Sequence, residues 1–287
     1  MQTLIVNNKK FDGKLLSDFL YFNFNGLTKN TLYKALRKKD IRINDIKINE
    51  DKKVYLGDSI TVYIIDDLLF KNIKIEKIYE DENILIVNKP NNIEVTGNNS
   101  LSSILEKEYP FIKPCHRLDR NTFGLILFAK NDSALNILLD KFKKHEIEKH
   151  YLAKVYGIVR KNSERLNSYL FKDNKKSLVY ISDIQKKGYV PIETSYTLLE
   201  KNSKENYSIL DIELHTGKTH QIRAHLAHIG YPIIGDGKYG NNEINKKFKS
   251  KSQQLCSYII KFNFKTDSGI LNYLKNKKIM LQKEHIF

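Results

Sequence analysis

The chain has 287 residues, with 49 lysines and arginines against 33 aspartates and glutamates and a formal net charge of +16. That length accommodates one large domain and a small one, and so large a basic surplus implies an anionic partner, nucleic acid or a membrane face, of which nucleic acid is the expected one. Cys115 and Cys256 are the only cysteines, which excludes a disulfide framework and a paired-cysteine metal knuckle. Apolar runs such as residues 125–129 fall far short of the ~20 residues a spanning helix needs, and residues 1–6 lack the basic flank and long apolar core of a secretory leader. A cytoplasmic protein with no membrane partner is therefore expected.

Residues 1–68 read as a compact unit. Leu15, Leu16, Phe19, Leu20 and Phe22 recur at helical spacing behind Asp12, a candidate cap. A turn at Asn25-Gly26 follows, and Thr28 can cap a second helix through about Lys39. On that helix Leu32, Ala35 and Leu36 share one face, while Lys29, Lys34, Arg37, Lys38 and Lys39 populate the rest. Residues 41–44 and 47–49 alternate as two short strands, and Gly57-Asp58 turns the chain into a third over 59–65. Residues 29–42 carry six basic groups and one acid. Such a helix can grip a phosphate backbone without reading sequence, and a plain solvated face is the alternative. Lys34, Arg37, Lys38 and Lys39 are the candidate phosphate-backbone contacts here.

Residues 69–76 show no strong periodicity and are expected to link this unit to a body over 77–287. Asp81-Glu82-Asn83 suits a turn between two strands, the second running over 84–89 and ended by Pro90. Lys89, at that strand end, is a candidate phosphate contact or a lysine in water. A helix is expected over 101–109 with Ser100 near its cap. Residues 115–124 then form a short charged loop with Asp119 between Arg117 and Arg120, running into an apolar strand. Charges packed this tightly at the mouth of a buried strand are costly unless partnered or used.

Asn131 and Asp132 can cap a helix through about His145, with Leu135, Leu138, Leu139 and Phe142 inside and Lys141, Lys143 and Lys144 at its basic end. Residues 148–157 alternate as a strand carrying Tyr151, whose ring could stack on a nucleobase. Residues 160–190 are lysine-rich with strands near 177–185, and 194–199 and 207–214 alternate again. Several antiparallel pairs are implied, hence an α+β fold with a mixed sheet. Beyond His215, Gly217 turns the chain and Thr219 opens a helix ended by Gly230. His215, His220, His225 and His228 invite a metal site, but no carboxylate sits at metallohydrolase spacing, so no metal is expected. A small helix is expected over 270–275.

Three stretches point to a known family. His116-Arg117-Leu118-Asp119-Arg120-Asn121-Thr122-Phe123-Gly124-Leu125 resembles the signature loop of the RluA/RluD family of RNA pseudouridine synthases, HRLDxxTSGLLL. "KHYLAKVYG" over 149–157 is similar to its tyrosine motif, and residues 214–240 to its pattern TGRTHQIRxHLxxxGxPIxGDxxYG. The N-terminal unit resembles an S4 RNA-binding domain. The resemblance covers essentially the whole chain. It implies a mixed, largely antiparallel sheet flanked by helices, with a small α+β S4-like domain in front.

It further implies that Asp119 is catalytic as nucleophile or base, that Arg223 pairs with it, and that Tyr151 lies against the target uracil. Arg117 would fill the gap left by a flipped base, and Lys218, where arginine is commoner, would contact phosphate. Phe123 in place of serine, Asn91-Asn92 in place of a glycine-containing step and Cys256 in the "LHA" segment depart from the pattern. The expected protein is a monomer without cofactor acting on RNA, ribosomal RNA first. A non-catalytic, ribosome-associated RNA-binding protein and a metal-dependent RNA hydrolase are the rivals.

Overall fold

A computed structural model describes residues 1–70, 73–97, 99–250, 252–282 and 286–287. Apolar residues collect in separate cores, and the chain divides into two units, Met1–Lys74 with Glu94–Pro110, and Ile75–Ile93 with Phe111–Phe287.

In the first unit β1 (Gln2–Ile5), which was not expected, precedes α1 (Leu16–Asn23), α2 (Lys29–Lys38), β2 (Ile41–Ile43), β3 (Ile46–Ile48) and β4 (Ser59–Val62), which follow the expected order. The four strands form an antiparallel sheet in the order β1-β4-β2-β3. Leu16, Phe19 and Leu20 of α1 and Leu32, Ala35 and Leu36 of α2 share one core with Ile41, Ile60 and Val62 of the sheet. Asn44 and Asp45 both take positive φ, 49° and 64°, the conformation of a tight two-residue hairpin. Thr28 caps α2 by accepting the Thr31 N–H at 3.2 Å. Asp12, however, does not cap α1. Its carboxylate accepts from the Leu56 N–H, and Asp51 accepts the Ser17 N–H at 2.9 Å from across the unit.

The unit extends past residue 68, because α3 (Asp66–Leu69) buries Leu69 in the same core. Lys71 and Asn72, within the expected linker, lie outside the described residues. The helix behind Ser100, α4 (Leu101–Leu105), also belongs to this unit and not to the larger body. Asn99 holds that segment by donating to the Leu27 carbonyl at 2.9 Å. Ser100 and Ser103 cap α4 reciprocally.

The second unit is built on one eleven-stranded sheet. Its elements are β5 (Glu76–Glu80), β6 (Ile84–Lys89), β7 (Phe123–Ala129), α5 (Asp132–Lys143), β8 (Ile147–Tyr156), β9 (Ser163–Asp173), β10 (Leu178–Ser182), β11 (Val190–Asn202), β12 (Tyr207–Leu214), α6 (Gln221–His228), α7 (Asn242–Lys247), β13 (Leu255–Phe262) and β14 (Lys278–Met280). The strand order is β10-β9-β11-β12-β8-β13-β7-β6-β5, with β14 added on β13 and a two-residue ladder at Lys113–Pro114 on β7. All of these pairings are antiparallel except that of β7 with β13. The sheet is thus mixed and largely antiparallel, as expected. The strand β9 is not announced by its own pattern because only Leu166, Ser168 and Leu170 are buried, alternating with the exposed Asn167 and half-buried Tyr169, and one of the three is itself polar.

Gly124 makes the parallel pairing possible. Its φ is +107°, and a Cβ there would lie 2.1 Å from the Ser257 carbonyl oxygen, so no other residue fits. Phe123, where the family pattern has serine, packs beside Leu152, Cys256 and Tyr258 without disturbing that contact. Asn92 supplies the left-handed step after Pro90, at φ 65°, that a glycine would otherwise provide.

Two lysines depart from their expected roles. Lys141, read as part of a basic helix end, is fully buried on α5, where it pairs with Glu146 at 2.8 Å and donates to Thr266. Leu139, read as an inner residue of the same helix, is exposed. Lys89 is not a phosphate contact. Its side chain is wholly buried, and the ammonium donates to the carbonyl oxygens of Pro90 and Ile93 at 2.9 Å and of Arg120 at 3.1 Å. It therefore bridges the end of β6 to the Asp119 loop. Lys89→Ala would leave these carbonyls without their donor, at a cost of about 2–4 kcal/mol. Denaturant unfolding is expected to show that loss.

Candidate active site

The loop that carries Asp119 is fixed at both ends before any pairing of the acid itself. Near its start, His116 Nε2 accepts the Leu127 N–H at 3.1 Å. At its end the Thr122 N–H donates to the Asp119 carbonyl at 3.0 Å, and the Thr122 hydroxyl accepts from the buried Gln253 amide at 2.8 Å. Asp119 is thereby held just ahead of β7, next to the helix α6.

Arg223 reaches it from that helix. Its Nη1 donates to Asp119 Oδ2 at 2.9 Å, while its Nε and Nη2 donate to the two oxygens of Asp236 at 2.7 and 3.0 Å. Asp236 is completely buried and also accepts the backbone N–H groups of Lys238 and Tyr239. Burial opposes the charge on both partners, but the pairing outweighs it. The Arg223 pKa stays above its ordinary value, and the Asp236 carboxyl is held below the usual carboxylate range. Arg223 is thus a fixed cation whose charge Asp236 largely balances. Asp119 Oδ1 accepts no hydrogen bond among the described residues, and this oxygen is available to a ligand.

Tyr151, on β8, is buried and lines the same cavity as Asp119 and Arg223. Burial, and then the Asp119 charge, push its phenol upward, so it remains a neutral donor and a flat apolar wall. His220 takes the left-handed region at φ 54°, just ahead of α6. Its Nδ1 lies 2.8 Å from the Tyr239 hydroxyl and its Nε2 3.9 Å from Asp119 Oδ2. Burial holds its pKa down despite the nearby carboxylate. The cavity measures about 240 Å³, with Arg117 and Lys218 exposed on its wall.

Asp119, Tyr151, Arg223, Arg117 and Lys218 are therefore brought together, and Lys89 is not among them. Lys34, Arg37, Lys38 and Lys39 all sit exposed on or directly after α2, in the first unit. The four histidines disperse to separate partners. His215 meets Ser195 and His220 meets Tyr239, while His225 lies between Thr194 and Ser168, and His228 meets Asp183. No cluster of three His, Cys, Asp or Glu side chains placed to hold a metal occurs among the described residues. Sequence reading assigned no role to Asp236, although it stands in the third motif. Its signal was only that an acid followed the Gly235 turn, and its partner was undetermined.

A family model described as RNA pseudouridylate synthase matches residues 83–228. Ribosomal large subunit pseudouridine synthase C of Buchnera aphidicola is 32% identical, over 86% of this chain and 84% of that protein. The chain belongs to the RNA pseudouridylate synthase family. An uncharacterized RNA pseudouridine synthase of Mycoplasma capricolum is 31% identical over 97% of both chains. Among solved structures, Human RNA Pseudouridylate Synthase Domain Containing 1 superposes with a TM-score of 0.60 at 22% identity, over 73% of this chain and 91% of that one, which shows the shared fold.

In this pseudouridylate synthase Asp236 is expected to act by holding Arg223. Asp236→Asn breaks a buried pair and should destabilise the protein by about 3–5 kcal/mol. Below the unfolding temperature, set by a thermal melt, the variant should still bind RNA but turn over about 10–100-fold more slowly, because the guanidinium no longer has one orientation.

Proposed function

We propose that the protein isomerises specific uridines of large-subunit ribosomal RNA to pseudouridine in the cytoplasm, with Asp119 as the catalytic group. The observation that carries this reading is an aspartate with one oxygen tied to Arg223 and the other open to a cavity walled by Tyr151. The ribosomal choice rests on the relatives named as ribosomal large subunit synthases.

The reaction breaks the N1–C1′ bond of uridine, turns the base and joins C5 to C1′. The C5 hydrogen leaves as a proton and N1 gains one, so no atom or electron is lost overall. Attack on C1′ and abstraction of a ribose proton both begin from an ionised carboxylate at the sugar. A uridine inside a stem cannot reach Asp119, so it must leave the stack. Arg117 would fill the gap and Tyr151 would stack on the captured base, a reading supported by the exposure of Arg117 and by both residues lining the cavity. The S4-like first unit adds sequence-independent grip through the exposed cations of α2.

Two measurements test the parts separately. With RNA tritiated at C5 of uridine, Asp119→Asn should release tritium more than about a thousandfold more slowly than wild type, with RNA affinity kept. Release at the wild-type rate removes Asp119 from the chemistry. Replacing Lys34, Arg37, Lys38 and Lys39 together by glutamine should weaken RNA binding and lower the slope of log K against log salt by up to about 3. An unchanged slope would remove α2 from the interface.

A further inference from the structure

We infer that Lys149 binds the backbone phosphate adjoining the captured uridine, an assignment that rests on the RNA-modifying reading above. Lys149 lies two residues before Tyr151 on β8, so the strand's alternation sends both side chains to the cavity face, and both line the cavity. Glu148 and His150 point the other way. Glu148 pairs with Lys261 at 3.5 Å and His150 with Asp211 at 3.1 Å, so neither offers Lys149 a counter-charge.

The Lys149 ammonium lies 5.1 Å from the centroid of the Phe142 ring and 3.9 Å from where a Cβ on Gly217 would sit. It thus reaches the exposed Gly217-Lys218 turn. Among the described residues no carboxylate lies within ion-pair distance of it. The charged and titratable groups around it do not balance its charge. Arg117 and Lys218 are cations on the same cavity wall, Asp119 is engaged by Arg223, and Tyr151 stays a neutral phenol. His116 has its pKa pushed down to about 3, by burial and then by Lys149 itself, and is neutral. His220, held down by burial, is turned toward Tyr239 and Asp119.

A half-buried cation without a partner is costly unless a ligand completes it. Uracil and ribose are neutral, so the phosphate is the part of a captured nucleotide that supplies the missing charge. The position agrees, since the exposed Gly217-Lys218 turn forms part of the cavity wall beside the ammonium. Gly217 carries no side chain to cover the ammonium, which would lie 3.9 Å from a Cβ at that position.

Burial pushes the Lys149 pKa down to about 8, and a phosphate against it would raise that value. Phosphate binding is therefore fully supported only well below pH 8 and increasingly requires uptake of a proton as pH rises past it. In wild type the KM for RNA should rise about tenfold between pH 7 and pH 9. Lys149→Arg keeps its charge throughout this range and should flatten the rise.

The experiment is pseudouridine formation on an unmodified large-subunit ribosomal RNA transcript by wild type, Lys149→Met and Lys149→Arg, with a thermal melt of each. Product formed by wild type across the pH range establishes the isomerase reading independently of Lys149. Lys149→Met, close in shape, should raise KM about tenfold, leave kcat within about twofold, and lower the salt slope by roughly 0.7–0.9, one phosphate contact. A wild-type KM and slope in Lys149→Met would overturn the assignment. So would a fall in kcat at unchanged KM, which would put the amine on the base instead. Should Lys149→Met not fold, the pH profiles decide, and parallel rises of KM in wild type and Lys149→Arg would overturn it equally.

Discussion

Arg223 stands between two aspartates of unequal burial, and the rest of the site depends on that inequality. Two of its nitrogens are spent on Asp236, which has no contact with water, and one is left for Asp119, which has some. A lone guanidinium at this depth would be prohibitively costly, and a guanidinium balanced only by Asp119 would claim that carboxylate fully. With Asp236 carrying most of the balance, Asp119 is oriented by one hydrogen bond and keeps an oxygen for the substrate. The arrangement is a positioning device as much as an electrostatic one.

The constraint propagates into the sheet. Asp119 precedes β7, Tyr151 sits on β8, and Arg223 lies on the helix that follows β12. These elements are far apart in sequence and meet because β8 pairs with β12 on one side and β13 on the other, while β13 pairs in parallel with β7. That parallel contact requires the backbone of Gly124 to lie against Ser257 at a separation no side chain permits. The same glycine marks where the charged loop becomes a buried strand. Chemistry and sheet geometry are thus coupled within six residues of chain.

The charge of +16 is not spread evenly over roles. Lys89 and Lys141 are internal ties, each satisfied by carbonyl oxygens or a buried carboxylate, and they contribute nothing to an anion's view of the surface. The cations of α2 are exposed and act through long-range attraction. Lys149 falls between these classes, held by apolar neighbours but facing an open cavity. A count of basic residues cannot separate the three, because burial and not identity decides what a lysine can bind.

Much of this was legible without coordinates. The periodicity of α2, its Thr28 cap, the hairpin after it, β12 and the turn at Asp81-Glu82-Asn83 are all set by neighbouring residues. Asp119, Tyr151 and Arg223 were legible because they stand in motifs whose residue types are themselves the signal. Other features depended on partners remote in the chain. Asp51 and not Asp12 serves α1, the segment of α4 folds with the first unit, and β9 is held by neighbours its own pattern hardly announces. The clearest cases are Lys89 and Asp236. Local sequence determined that a lysine ends a strand and an acid follows a turn. Only the tertiary structure decided that one is buried beneath a loop and the other behind an arginine, because desolvation and pairing are properties of what packs around a group and not of its place in the chain.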